Sequence, residues 1–287
     1  MAPRKVLILG AGGRSGGMAL KKMMEHPSEI EVVGAARSAA SAQKLESMGA
    51  KTVMCDLTRP ESAEAAMSGI DVLVILSSAM PQLNKCKMLG VVCKKICRME
   101  ANVGEALTYE PGAFPVHIDW EGGRSAIDAA KSAGVKHVIY IGSMGGTDPN
   151  NFLNTMGNGN IVLYKRKAEM YLIGSGIPYT IIHPGGLLPH RGNTIVPGGE
   201  RELLVGINDT MMNNDSKERC IPREDLAEVV TQCVLEPEVC MGKVFDVSSK
   251  DPSLGGQIWD RNLKTLLAPI ADQKYDYSQP QHPILEN

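Results

Sequence analysis

Arg4-Lys5-Val6-Leu7-Ile8-Leu9-Gly10-Ala11-Gly12-Gly13-Arg14-Ser15-Gly16-Gly17 stands almost at the start of the chain. A short apolar strand (4–9) runs straight into a glycine-rich turn and then into a helix-like stretch. Glycines let a backbone turn sharply and approach a diphosphate closely, while the N–H groups and positive dipole end of the following helix attract its charge. Gly10, Gly13 and Gly16 fit G-x-x-G-x-x-G. Gly10 and Gly12 fit only the start of G-x-G-x-x-G, whose third glycine is replaced by Ser15.

Outward from this turn, apolar β-type runs alternate with helical stretches. Strands are expected at 4–9, 30–36, 51–54, 70–77, 136–142, 177–182 and 243–247. Helices are expected at 14–25, 39–49, 59–67, 120–134, 160–175, 222–235 and 257–268. The runs VLVIL (72–76) and HVIYIG (137–142) are continuously apolar, as strands covered on both faces should be. The expected fold is therefore α/β: a Rossmann-type, doubly wound, mostly parallel sheet with helices on both faces and a small irregular substrate region. Residues 1–271 read as one such domain, and 272–287 as a polar, proline-punctuated tail, loose or serving as an interaction arm. Segments 78–119, 143–159 and 184–218 follow strand ends, the edge where open α/β sheets bind ligands, and the first and last read as substrate or lid insertions.

The 287 residues carry a net charge of −2 and 43% hydrophobic side chains. That balance gives no footprint for nucleic acid or an anionic membrane, and no apolar run reaches the roughly 18–20 residues that span a bilayer. With the first strand beginning at Arg4, a soluble cytoplasmic protein is expected, or a plastid one if the chain is a processed form. Seven scattered cysteines favour reduced thiols. Cys93 and Cys97 are four apart, but no further ligand sits at metal-site spacing, so no metal is expected.

About twenty residues past the turn, where an acid would hold the ribose of NAD, the second strand ends at Arg37. A guanidinium there suits the 2′-phosphate of NADP, with Arg14 as a possible second cation. Asp56, beside Leu57 after the third strand, suits the adenine edge or a cap for the helix near Arg59. Ser77 and Ser78 leave the fourth strand and Ser143 the fifth, bringing small hydroxyl groups to the cofactor edge. Asp225 reads as a first-turn helix acid, and the sixteen methionines as core and loop filling.

Four stretches, GSMGGTDPN (142–150), GNGNIVLYKRKAE (157–169), PYTIIHPGGLL (178–188) and RELLVG (201–206), resemble the atypical branch of the short-chain dehydrogenase/reductase superfamily. More narrowly, the chain resembles the plant-type NAD(P)-binding Rossmann proteins related to NmrA-like and isoflavone-reductase-like proteins, from about Arg4 to Leu267. The resemblance implies NADP(H) binding and an oxidoreductase acting on a small carbonyl or enone. It implies that Ser143 orients the substrate carbonyl, that Lys167 holds the nicotinamide ribose, and that Pro184, Gly185, Gly186 and Leu187 run past the carboxamide. A tyrosine four residues before that lysine would move the proton, but Leu163 occupies the position. Tyr164, rotated by about 100° on a helix, is the candidate donor, with packing on the helix flank as the other reading. His183, where the family tends to have arginine, reads as an alternative acid or as a buried structural histidine. The missing tyrosine keeps a second reading open, a non-catalytic NADP(H) sensor or scaffold with a protein partner. A homodimer is compatible with either.

Overall fold

The computed structural model describes residues 2–96, 103–188 and 196–286. The strands are β1 (Arg4–Leu9), β2 (Ile30–Ala36), β3 (Lys51–Met54), β4 (Val72–Ile75), β5 (Gln82–Leu83), β6 (Leu107–Thr108), β7 (His137–Ile141), β8 (Tyr179–Pro184), β9 (Gly186–Leu187), β10 (Leu203–Gly206), β11 (Cys220–Ile221) and β12 (Val244–Ser249). The helices are α1 (Arg14–Met24), α2 (Ala39–Glu46), α3 (Pro60–Ala66), α4 (Lys85–Ile96), α5 (Gly122–Ser132), α6 (Phe152–Thr155), α7 (Ile161–Ser175), α8 (Arg223–Leu235), α9 (Pro237–Cys240) and α10 (Leu263–Leu267).

The main sheet runs β3-β2-β1-β4-β7-β8-β12-β11-β9, with β10 on β12, and its first seven strands are parallel. Strand residues alternate between two faces, which explains why the central runs are apolar throughout. Val6 and Ile8 of β1 enter one core with Val72, Val74, Ile139 and the inner residues of α1 and α8. Leu7 and Leu9 enter a second core with Leu73, Ile75, Val138, Tyr140 and residues of α3, α5 and α7. Each of these fully buried aliphatic side chains contributes about 1.5–3 kcal/mol relative to exposure. The sequence order reverses on the two sides of β1, which pairs β2 on one flank and β4 on the other. The glycine turn leaves the sheet at that switch point.

Several expectations need correction. The segment 78–119 holds α4, the antiparallel β5–β6 pair that brackets it and a short 3₁₀ turn at Val103–Ala106; its residues 97–102, with Cys97 of the Cys93 pair, lie outside the described residues, as do 189–195. The expected helix 257–268 contracts to α10, where Asn262 caps the first turn through the N–H of Thr265. Helix α5 begins at Gly122, behind a π turn at Val116–Glu121. The tail is not loose. Residues 272–286 have no strand or helix of their own, yet they strap across α7: Arg166 donates through Nη2 to the carbonyls of Asp276 and Gln279. Its guanidinium stacks 4.5 Å from the Tyr277 ring centre. Among the described residues no helix is long and apolar enough to cross a membrane.

Candidate cofactor and active site

The turn after β1 is built on three glycines with distinct tasks. Gly10 has φ +84° and faces the β4 exit, where a Cβ would stand 2.7 Å from the Leu76 carbonyl carbon and the Ser77 nitrogen. Gly13 donates its N–H to the Gly10 carbonyl at 2.9 Å. A Cβ on Gly16 would collide with that same carbonyl oxygen, so α1 can press onto the turn only with glycine there. Gly12 is different, since its Cβ would meet only the hydroxyl end of Ser41. No side chain caps α1, and its first turn carries no acid. Arg14 is exposed at its first position, and Ser15 is half-buried beside it. This bare positive helix end over a side-chain-free cradle fits a diphosphate.

At the β2 end, Arg37 is exposed. Asp56 is partly buried, which favours its neutral form, but hydrogen bonds from Thr58 and the charges of Arg59 and Arg37 hold its carboxyl below the usual value. The cap role expected for it is not made: the residue before α3 is Arg59, and Asp56 Oδ1 instead accepts from the N–H and hydroxyl of Thr58. Leu57 packs against the second core.

On the other side of β1, Ser77 and Ser78 are half-buried at the β4 exit and Ser143 at the β7 exit. The Ser143 hydroxyl donates to the Met144 carbonyl at 2.9 Å. The loop behind it is clamped by Asp209, whose carboxylate accepts the N–H groups of Gly145 and Thr147 and the Thr147 hydroxyl at 2.7–2.8 Å. Pro184 and Gly185 are buried, Gly186 is exposed and Leu187 half-buried. Gly185 faces the Arg219 carbonyl so closely that a Cβ has no room.

The two lysines of α7 lie on different sides of the helix. Lys167 lies on the outer flank of α7, its Nζ 5.0 Å from the Trp120 ring centre and 3.4 Å from the Glu286 carbonyl. Lys165 is buried and points to the β7 exit instead: its Nζ pairs with Asp119 Oδ1 at 3.0 Å and donates to the Ile141 carbonyl at 3.4 Å. Asp119 comes from the π turn, a widened turn found often at functional sites, and its Oδ2 accepts the Ala79 N–H at 3.0 Å. The residue four before Lys165 is Ile161, and Leu163 is in the core. Neither register therefore supplies a tyrosine. Tyr164 is half-buried and shares a helical stripe with Lys167 and Tyr171 at i+3 and i+7.

Sequence reading missed a buried network beneath the Ser143 loop. His183 stands between Glu169 (Nε2 to Oε2, 3.0 Å) and Asp246 (Nδ1 to Oδ1, 3.1 Å), all three essentially without solvent contact. Burial alone would strip the proton from His183, but Glu169 and Asp246 outweigh it and raise its pKa to about 10. His183 is thus an imidazolium at neutral pH, the buried structural reading rather than a free acid. Asp246 Oδ2 also accepts the Asp209 N–H at 2.8 Å, which ties the network to the loop clamp. The strap closes it: Tyr277 donates its hydroxyl to Glu169 Oε2 at 3.0 Å, and the Tyr275 ring lies edge-on to His183.

A mostly parallel sheet that carries this glycine cradle at its switch point defines a nucleotide-binding Rossmann protein. The chain belongs to the NAD(P)H-binding family, whose model matches residues 10–237. It is 42% identical over 257 residues to sanguinarine reductase of Eschscholzia californica, covering 87% of this chain and 90% of that one. It is 41% identical to an uncharacterized chloroplastic protein of Arabidopsis thaliana, covering 88% of this chain and 72% of that one. Among solved structures, the oxidoreductase ylbE from Lactococcus lactis superimposes with a TM-score of 0.60 at 18% identity, over 92% of this chain and 97% of that one.

Proposed function

We propose that this chain is an NADP(H)-dependent oxidoreductase for a small carbonyl or enone compound. The observation that carries the reading is the convergence at one sheet edge of the glycine cradle, Ser143 and the Lys165–Asp119 pair. The 42% identity to a named reductase supports it. Gly10, Gly12, Gly13, Arg14, Ser15 and Gly16 would hold the diphosphate, Arg37 the 2′-phosphate, and Asp56 and Leu57 the adenine edge. Ser77, Ser78, Ser143 and Pro184–Leu187 would flank the nicotinamide half. When bound, the nicotinamide supplies or accepts the hydride.

The Ser143 hydroxyl turns from the Met144 carbonyl to donate to the substrate oxygen. Lys165 replaces Lys167 as the fixed cation of the site. Oriented by Asp119 in a dry environment, its charge stabilises negative charge developing nearby more strongly than it would in water. The proton comes from water or from Tyr164. We place the protein in the cytoplasm, with the plastid as the alternative that its chloroplastic relative supports.

Binding of NADPH and NADH to the wild type and to Arg37→Ala, followed by turnover on a carbonyl panel, tests this reading. Selective loss of NADPH affinity in the variant, with measurable turnover by the wild type, is expected. Equal losses of both nucleotides sink the NADP assignment. The second reading, a non-catalytic NADP(H) sensor, is favoured by Ile161 and Leu163 at the two possible tyrosine positions. Tight NADPH binding with no turnover selects it.

A further inference from the structure

Helices α1 and α8 lie side by side on one face of the sheet, with Lys22 of α1 reaching Glu224 and Glu228 of α8 at 3.5 and 3.3 Å. They run the same way. Arg4, at the base of β1, donates to the carbonyls of Val234 and Leu235 at the far end of α8. The start of α8 follows β11, which pairs with β9 through Ile221 and Leu187. Arg14 and Arg223 therefore occupy the first positions of two neighbouring helices whose positive ends share the cofactor edge.

Neither helix start receives a side-chain cap. The acids of the α8 first turn are engaged elsewhere: Glu224 accepts the Gly198 N–H and pairs with Lys22, and Asp225 accepts the Gly199 N–H. Arg223 is half-buried and held in place by donating Nη1 to the Leu188 carbonyl. Burial, together with the charge of Arg14, holds the Arg223 guanidinium below its usual pKa, so the two cations feel each other. Two guanidiniums brought together at uncapped helix ends suit an anion between them.

We propose that Arg223 is a ligand of the cofactor diphosphate, gripping it opposite Arg14. This rests on the NADP(H) reading above. The 2′-phosphate is not its target, because Arg37 ends β2 on one flank of β1, whereas β9 and β11 lie beyond β4 on the other. Arg14, expected as a second cation for the 2′-phosphate, is reassigned with it.

The test is equilibrium binding, by calorimetry, of NADPH, NADH and adenosine 2′,5′-bisphosphate, which carries the 2′-phosphate but no diphosphate. A hydrogen bond to a charged group is worth about tenfold or more in affinity, so Arg223→Ala should weaken NADPH and NADH alike by about that factor. Adenosine 2′,5′-bisphosphate should bind as before, and Arg223→Lys should recover part of the loss. Arg14→Ala, at an exposed position that leaves the fold intact, should show the same equal loss of both dinucleotides. Unchanged dinucleotide affinity in Arg223→Ala, or loss confined to NADPH, overturns the assignment of Arg223 while leaving the cofactor reading standing. A wild-type protein that binds neither dinucleotide overturns both.

Discussion

The ammonium of Lys165 stands 3.0 Å from Oδ1 of Asp119, with only 9% and 0% of the two side chains exposed. Through Asp119 Oδ2 and the Ala79 N–H the pair also fastens the exit of β4 to α7. A buried ion pair adds little net stability over an apolar pair, but removing one partner strands the other charge.

Lys165→Met should therefore cost about 3–5 kcal/mol in denaturant unfolding, together with activity. Lys167→Met, on the outer flank, should cost less than about 1 kcal/mol. The double variant Lys165→Met/Asp119→Leu should recover much of the lost stability. A Lys165→Met protein as stable as the wild type would show that the pair is not formed.

The glycine turn makes a sharper contrast. Gly16→Ala drives a methyl group into the Gly10 carbonyl, so it should lower both cofactor affinity and melting temperature. Gly12→Ala meets only the movable Ser41 hydroxyl and should retain most of its stability. Melting curves with and without NADPH compare them, and equal damage from the two substitutions would contradict the spacing.

His183 sets a pH dependence with a definite sign. Its folded pKa, about 10, lies above the 6.5 of an ordinary imidazole, so its contribution to stability is complete below about pH 6.5 and is lost as pH rises toward 10. Unfolding free energy should fall across that window, and His183→Gln should flatten the fall. A wild-type profile that stays level from pH 7 to 10 would remove the imidazolium from the account.

The strap can be loosened by a single atom. Tyr277→Phe removes the hydroxyl that donates to Glu169 and should cost about 1–3 kcal/mol, since the acceptor is a buried carboxylate. Faster proteolysis between residues 272 and 286 should accompany the loss. Unaltered cleavage and stability would mean that the remaining contacts, the Arg166 hydrogen bonds and stacking among them, hold the segment without the Tyr277 hydroxyl.

What could be read from the chain followed local physics. The parallel strands announced themselves because both faces of β4 and β7 are covered, and the glycine spacing because Gly13 and Gly16 both answer the Gly10 carbonyl within the same turn. The different surroundings of Lys165 and Lys167 were not legible, because the partner of Lys165 is Asp119, on a turn far away in sequence. A helical count would have helped: Lys165, Ala168 and Leu172 fall on one buried stripe at i, i+3 and i+7. The docked tail was illegible for a similar reason. Its composition is that of a loose arm, and the groups that dock it, the buried guanidinium of Arg166 and the carboxylate of Glu169, lie far away in sequence.

Those tail contacts join residues 108 to 113 positions apart, through a segment with no ladder of its own. Such a piece detaches at far lower free energy than the sheet beneath it. The amides of β1, β4 and β7 should exchange with solvent only on global unfolding, while the charges around His183 meet water each time the strap lifts. The molecule thus has two levels of cohesion, a rigid nucleotide-binding platform and a releasable cover over its ionic centre.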